Sequence, residues 1–303
     1  KARIYRPARR EAYSQMAVKD IYRRFAAIVK SAAWLGWQLE SNWADPWIFA
    51  VITIIRPLAS LFIIIFMFRF ALGPAASADF FNFFFIGNVI YLYVYNVLFG
   101  ISQVIFEDRE HYEVIKYIYI SPVNWYLYFI GRGFARFIVA SVSCAVTIAA
   151  GALFLPLKFG MSAASVPAFA LSFAVGLVSI FFMGIIMCAL TLVMARHGNM
   201  MSESISGIFF ISCGVIFPIS ALPEWLQKIS AVIPVSYWLE ISRRLILGTD
   251  NTIDGVWHGI STGSLMARLG VSTVILFIFS ILFFNYMSML ARSKGIIDRT
   301  TSY

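Results

Sequence analysis

Charged residues are scarce in this sequence, and their scarcity excludes a soluble protein. Lysine, arginine, aspartate and glutamate make up 13% of the 303 residues, whereas hydrophobic residues make up 60%. Soluble domains carry about 25% charged residues, and a chain of this size cannot cover its surface with so few. The same hydrophobicity excludes a disordered chain. The sequence therefore predicts an integral membrane protein.

The motifs of membrane-embedded catalysis are also missing. His111, His197 and His258 each stand alone, so the sequence has no H-E-x-x-H zinc motif. No apolar run contains the aspartate cluster that would hold magnesium and a diphosphate. A G-x-x-x-x-G-K-[ST] phosphate loop is absent as well. We therefore expect no catalytic residue, metal or cofactor in this chain, and a membrane-embedded enzyme is a disfavoured alternative.

Long apolar runs dominate what is present. Six of them approach the roughly 20 residues that a helix needs to cross a bilayer. They lie at 50–72, 82–106, 127–153, 167–193, 203–220 and 269–291. Before them, segment 11–43 has basic residues between apolar residues at helical spacing, which predicts an amphipathic helix at the membrane interface. The predicted fold is an all-α integral membrane protein with an N-terminal segment over 1–46 and a six-helix transmembrane domain over 47–303.

The basic residues predict the orientation in the membrane. The net charge is +9, and most of the 24 lysines and arginines fall on the side of the termini and of the loops 107–122 and 194–201. The excess of basic residues marks the cytoplasmic side, so both termini are expected to be cytoplasmic and the protein to lie in the cell membrane. This explanation replaces nucleic-acid binding as the reason for the basic charge. The chain begins at Lys1, so we expect a short N-terminal stretch to precede it.

A polar stripe on the second apolar run is the first candidate site. Asn82, Asn88, Asn96 and Gln103 share one arc of an ideal helix, and Phe85, Tyr93 and Phe99 fall on or beside it. Amides are unfavourable in lipid. The stripe therefore predicts either hydrogen bonds between helices or the lining of a substrate path. Phe209 and Phe210 in the fifth run either close such a path or face lipid.

Two further segments carry recognisable motifs. The first contains Phe106-Glu107, Tyr119-Ile120-Ser121-Pro122 and Gly131-Arg132. The second is apolar but interrupted by prolines, which predicts two short helices that re-enter the membrane between 218 and 248. Its motif residues are Pro218, Pro223, Trp225, Pro234, Arg243, Arg244 and Gly248. Together these motifs resemble the permeases of ABC-2 type exporters, and the resemblance extends along essentially the whole chain.

The resemblance implies a permease that has no nucleotide site of its own. Separate ABC ATPase chains, holding ATP and Mg²⁺, and a second permease copy or a related permease are the implied partners, together with the lipid bilayer. A coupling helix over 107–117 is implied to contact the ATPase. Its candidate residues are Glu107, Asp108, Arg109, Glu110, His111, Glu113 and Lys116. Taken without the resemblance, the same charges indicate a solvated helix face.

The resemblance leaves the cargo open. An amphipathic drug, a lipid or another hydrophobic molecule is the preferred expectation, and a polysaccharide or glycolipid is the alternative because aromatic side chains stack on sugars. Arg243 and Arg244 are expected either to meet anionic headgroups or cargo, or to extend to the membrane interface. A passive channel or scaffold subunit is a further alternative. Segment 249–268 receives no role.

Overall fold

The computed structural model describes residues 6–41, 45–66, 78–121, 123–154, 160–194, 198–249 and 255–296. Within these ranges every regular element is a helix, in agreement with the predicted all-α class. The α-helices are α1 (Arg6–Ser41), α2 (Pro46–Phe66), α3 (Ala78–Tyr93), α4 (Gly100–Phe106), α5 (Ile115–Ile120), α6 (Trp125–Phe154), α7 (Val166–Val193), α8 (Gly198–Ser212), α9 (Glu224–Ser230), α10 (Pro234–Leu247) and α11 (Thr262–Ser293).

Four helical segments are long and apolar enough to cross a membrane. They are Phe80–His111, Trp125–Leu153, Ala163–Val193 and Thr262–Ser293, which correspond to the second, third, fourth and sixth predicted runs. The first and fifth runs correspond to the shorter apolar helices Trp47–Ile63 and Met200–Ser212. Residues 67–72 of the first predicted run lie outside the described part of the chain.

The fifth predicted run is not a single helix. Helix α8 ends at Ser212, and its 15 residues extend about 22 Å at about 1.5 Å per residue, less than a hydrocarbon core of about 30 Å. Gly214, two residues later, has a φ of +73°, a left-handed conformation that a continuing helix does not contain. The prediction of a helix over 203–220 is therefore wrong, because the chain turns at this glycine.

The second predicted run is one long helix with two wider segments. A π-helix at Val94–Phe99 separates α3 from α4, and a second π-helix at Glu107–His111 follows α4 directly. The i→i+5 hydrogen bonds of a π-helix place an additional residue in the turn. Side chains after each π segment are therefore rotated about the helix axis, relative to those before it, compared with a regular α-helix.

Helices α6 and α7 organise the packing. Helix α7 packs against α11, α4 and α10, whereas α6 packs against α1 and α2. Small residues permit these close approaches. A Cβ atom on Gly131 of α6 would lie 2.5 Å from Cβ of Ala32 in α1, and one on Gly176 of α7 would lie 2.3 Å from the Trp238 ring in α10.

Candidate functional sites

A charged cluster joins three helices at one end of the molecule. It consists of Glu40 on α1, Glu107 and Asp108 after α4, and Tyr128, Arg132 and Arg136 on α6. The α6 members are spaced by four residues, so they project from one face of that helix. This spacing inside an apolar run was the available sequence signal for Tyr128 and Arg136. Glu40 carried no such signal.

The two arginines of the charged cluster are shared between carboxylates. Nη2 of Arg136 lies 2.6 Å from Oε1 of Glu40 and 2.5 Å from Oε1 of Glu107. Nη2 of Arg132 lies 2.9 Å from Oε2 of Glu107 and 3.6 Å from Oδ1 of Asp108. Each arginine therefore connects two acidic side chains, and Glu107 connects the two arginines. Such a network resists relative movement of the three helices.

The charged cluster is largely removed from water. The side chains of Arg132 and Asp108 are 2% and 3% exposed, and the Tyr128 hydroxyl donates a hydrogen bond of 2.6 Å to Oδ2 of Asp108. Burial raises the pKa of the Glu40 carboxyl above its usual value, even though the guanidinium of Arg136 acts in the opposite direction. Asp108 therefore contacts other helices and not solvent, whereas Glu107 pairs with two arginines while remaining partly exposed.

The adjacent pair Arg109 and Glu110 is also buried. Nε of Arg109 donates to Oε1 of Glu110 at 3.1 Å, and the two side chains are 0% and 1% exposed. The interpretation of 107–113 as a solvated helix face is therefore wrong at these positions and at Asp108. It fails because Tyr128 and Arg132 of α6 contact Asp108, and Arg109 donates to the carbonyl oxygen of Leu192 on α7. Of the other candidates in this segment, His111 and Glu113 are exposed and the side chain of Lys116 is partly exposed.

The charged segment 107–117 is not one continuous helix. The long helix ends at His111, and Glu113 has a φ of +50°, which interrupts the helical backbone. Helix α5 then begins at Ile115 and exposes apolar side chains, with Tyr117 62% and Ile120 78% exposed. The accessible surface around α5 thus combines apolar side chains with the exposed Glu113, whereas the sequence suggested a charged surface.

A cleft of about 480 Å³ opens between α2, α3, α6 and α8, and we call it the lateral cleft. Asn88, Asn96 and Phe210 of the predicted substrate path line it. The structure adds Arg56 of α2 and Tyr95 of the first π-helix to its wall. Polar groups and aromatic rings therefore face the same space, which suits a ligand with both polar and apolar parts.

The other predicted path residues lie elsewhere. Asn82, Phe85, Tyr93, Phe99, Gln103 and Phe209 are not among the residues that line the lateral cleft. The Tyr93 ring lies 5.1 Å from that of Phe173 on α7, and Phe99 makes an edge contact with Phe209 at 6.1 Å. The additional residue in the first π-helix shifts later positions by about 100°. The helical arc therefore does not extend from Asn88 to Gln103.

Arg243 is a buried side chain near the end of the proline-interrupted region 218–248, which we call the proline-rich region, and it reaches back to the turn before that region. Its Nε donates to the carbonyl oxygen of Phe83 at 3.0 Å, and its Nη2 donates to that of Gly214 at 2.7 Å. The guanidinium also lies 3.6 Å from the centroid of the Phe83 ring. A Cβ atom on Gly87 would lie 2.1 Å from Nη2, so only glycine leaves room for this group. Arg243 thus joins α10 to α3 and to the turn after α8.

Arg244 performs a similar function on the opposite side of α10. It pairs with Glu240 at 2.8 Å and donates to the carbonyl oxygens of Trp257 and Ile260 at 2.9 and 2.6 Å. Both arginines are almost fully buried. The expectations that Arg243 and Arg244 reach cargo, headgroups or the membrane interface are therefore wrong, because backbone carbonyls occupy their donors. Arg244 also gives the 257–260 part of segment 249–268 a structural partner.

The remaining motif residues of the proline-rich region mark its turns. Pro218 and Pro223 precede a 3₁₀ turn and α9, and Pro234 is the first residue of α10. These are positions where the missing N–H of proline removes no helical hydrogen bond. Trp225 on α9 is 64% exposed.

Gly248 ends α10 in a left-handed conformation, with a φ of +68°. A Cβ atom here would lie 2.3 Å from the carbonyl oxygen of Gly160. We expect Gly248→Ala to lower the free energy of unfolding by about 2 kcal/mol or more, through backbone strain and this contact. Denaturant titration measures the change. Gly263→Ala is the matched control, since Gly263 has open space and no positive φ, and it should not be destabilising. Equal stability of the two variants would contradict the argument.

Comparison with known proteins identifies the family. A model of the ABC-2 type transporter family matches residues 31–247, which is well over half of the chain. This chain belongs to the ABC-2 type transporter family. Permeases of this family normally work with ABC ATPase partners and are generally not catalytic themselves. The matched range includes the charged cluster, α5, the lateral cleft and the helices α9 and α10.

The curated relatives are more distant. The chain is 22% identical over 159 residues to the probable multidrug ABC transporter permease YbhR of Escherichia coli K12. The same values hold for YbhR of Escherichia coli O157:H7. The match covers 50% of this chain and 40% of either relative.

Proposed function

We propose that this protein is the permease subunit of an ATP-driven exporter. Two copies, or this chain and a related permease, would enclose the transport path, and separate ATPase chains would bind ATP and Mg²⁺. Family membership supports the type of subunit. The position of α5 supports the contact with the ATPase and is the observation that carries the proposal.

Helix α5 has the features of a docking site for another protein. It follows the long helix directly, and its Tyr117 and Ile120 side chains are largely exposed. The basic-residue distribution supports a cytoplasmic position for this segment, and exposed apolar groups in such a position typically mark an interface. We assign α5 as the surface that contacts the ATPase, in place of the charged residues of 107–111.

The charged cluster would transmit movement from α5 into the membrane. A displacement of α5 acts on the end of the long helix, where Glu107 is paired with Arg132 and Arg136. Through Arg136 the displacement reaches Glu40, so α1, the long helix and α6 move together. Because Asn88 and Asn96 belong to the same long helix, this movement would change the lateral cleft.

The membrane arrangement that we propose has six crossings. The two short ones are α2 and α8, and the crossing by α8 would be completed by the turn that follows Ser212. In this arrangement α1 lies at the cytoplasmic interface, and α9 and α10 form a re-entrant hairpin in the outer leaflet. The exposed Trp225 on α9 supports this placement, because indole groups favour the membrane interface. Both termini would be cytoplasmic, in the cell membrane.

The cargo that we propose is an amphipathic molecule. The lateral cleft combines polar and aromatic groups, and the relatives that match half of the chain are described as probable multidrug permeases. Both observations favour a small amphipathic drug or lipid over a polysaccharide. The volume of about 480 Å³ lies within the range of about 300–1,000 Å³ that is typical of small-molecule sites.

The assignment of α5 leads to a direct test. We expect Ile120→Asp to abolish co-purification of the ATPase chain and ATP-dependent transport, because a carboxylate would be buried without a partner at the interface. Met161→Asp is the matched control. Met161 is 45% exposed and lies beyond the opposite end of α6. A stoichiometric ATPase that remains bound to the Ile120→Asp variant would contradict the assignment.

A further inference from the structure

The lateral cleft contains an amide that the described part of the protein leaves unsatisfied. Asn88 is 5% exposed, and its Nδ2 has no hydrogen-bond partner among the described residues. Asn96, on the same wall, donates instead to the carbonyl oxygen of Leu92 at 2.8 Å. Because an unpaired buried donor is unfavourable, the Asn88 amide indicates an acceptor that comes from outside the chain.

Arg56 brings a positive charge to the same cleft. It lies in the middle of α2, where its neighbours are apolar, and no ion pair joins it to a residue that the structure describes. The other arginine in the wall, Arg136, is paired with Glu40 and Glu107. An ionisable residue within a membrane helix typically marks a ligand path. The cleft therefore offers an available cation and an available amide donor.

The helices on both sides of the cleft are irregular where they face it. Pro57 follows Arg56 inside α2 and has no N–H, so the carbonyl of Thr53 loses its helical hydrogen bond. On the facing helix, Tyr95 and Asn96 belong to a π segment, and such segments occur frequently at functional sites. The cleft is lined by Arg56 and Pro57 on one side and by Tyr95 and Asn96 on the other. This coincidence distinguishes the cleft from an ordinary groove between packed helices.

The rest of the wall is mixed. Glu40 belongs to it but is paired with Arg136, and small hydroxyl side chains come from Thr53, Ser60, Ser143 and Ser206. Phe49 and Ile52 of α2, Tyr95 and Phe210 contribute rings and aliphatic groups to the cleft. A ligand that satisfies both parts of the wall needs an acidic headgroup and an apolar body. A neutral amphiphile would leave Arg56 without a counterion, and a cationic one would be repelled by it.

We propose that the lateral cleft binds anionic amphiphiles through their carboxylate or phosphate headgroup. Arg56 pairs with the headgroup, Asn88 donates a hydrogen bond to one of its oxygens, and the aromatic wall holds the apolar body. This inference refines the cargo class of the proposed exporter. It rests on the exporter function only where it says that the bound molecule is exported. The headgroup belongs either to an exported molecule or to an acidic lipid of the bilayer.

A binding experiment without ATP tests the site itself. The purified permease, with the chains that accompany it, is placed in phosphatidylcholine nanodiscs and titrated with dansylated undecanoic acid or with its methyl ester. We expect the acid to bind about tenfold more tightly than the ester, since a hydrogen bond to a charged group is worth at least about one order of magnitude. Arg56→Gln and Asn88→Leu should each remove most of this difference.

The controls separate binding from folding. Asn88→Leu removes an unsatisfied amide, so its thermal stability should equal or exceed that of the unmodified protein while acid binding falls. Arg268→Gln removes an exposed arginine on α11 and should leave binding unchanged. Equal affinities for acid and ester, or unchanged acid binding in both cleft variants, would overturn the proposal.

A second titration identifies the source of the headgroup. Nanodiscs that contain phosphatidylglycerol should weaken binding of the acid if the cleft selects a bilayer lipid. Unchanged binding in those nanodiscs assigns the site to an exported molecule. Because the assay needs no ATP hydrolysis, a permease that binds the acid but recruits no ATPase would refute the exporter function and leave the anion site intact.

Discussion

Arg132→Leu should lower the free energy of unfolding by about 3–5 kcal/mol, because it leaves the buried carboxylate of Asp108 without its cation. Arg132 is paired with Glu107 and Asp108, and its side chain is 2% exposed. The change can be measured by denaturant titration in mixed micelles. We also expect ATP-dependent transport to fall in the fraction that folds, since α6 would keep only the Tyr128 hydrogen bond to Asp108 and the Arg136 ion pair with Glu107.

Two further variants separate charge from packing. Lys116→Leu removes a lysine that is 43% exposed and lies 3.9 Å from Glu113, so it should change stability by less than about 1 kcal/mol. Adding Asp108→Asn to Arg132→Leu removes the charge that was left unpaired, whereas Glu107 keeps its pair with Arg136, and should restore part of the lost stability. If the single and double variants were equally unstable, the loss would come from packing and not from the buried charge.

Arg243→Met should be destabilising by about 3 kcal/mol or more, because three backbone carbonyls lose a charged donor. The carbonyls belong to Phe83, Gly214 and Val215. Residue Arg243 is 1% exposed. Methionine has a similar length but no donor. Loss of these hydrogen bonds should also separate α10 from the turn after α8, which limited proteolysis near Gly214 can detect.

An exposed arginine supplies the control for this variant. Arg268→Met on α11 changes the same side chain at a site with no described ion pair or hydrogen bond, so we expect a change within about 0.5 kcal/mol. Arg243→Lys is informative as well, since one ammonium group cannot reproduce the planar donor geometry of arginine. Full stability of Arg243→Lys would mean that the charge alone, without the fork of donors, holds the turn.

The sequence predicted the long helices well because their signal is local. An apolar run of sufficient length identifies a spanning helix without any knowledge of its neighbours, and the four long segments correspond to four predicted runs. The motif residue Gly248 was recognised, and the structure supplies the reason, which is a left-handed φ beside Gly160. The end of α8 was missed because a glycine at position 214 does not by itself reveal its φ.

The partners of charged residues were not predictable from local pattern. The sequence of 107–113 has the composition of a solvated segment, yet Arg132 and Arg136, which neutralise Glu107, lie on α6 and are distant in the chain. Arg243 is bound by backbone carbonyls. Because every residue carries a backbone carbonyl, no pattern of side chains in the sequence indicates that an arginine will bind carbonyls. Only the tertiary structure determines whether such a charge is exposed.

The first π-helix has a consequence for the length of the chain in related proteins. A relative with one residue fewer between Val94 and Phe99 would have a regular α-helix there, and its Glu107 would be rotated by about 100° away from the arginines of α6. The segment therefore fixes the number of residues between the lateral cleft and the charged cluster. An alignment gap of one residue here should occur together with rearranged acidic positions near 107, as a compensating pair of evolutionary changes.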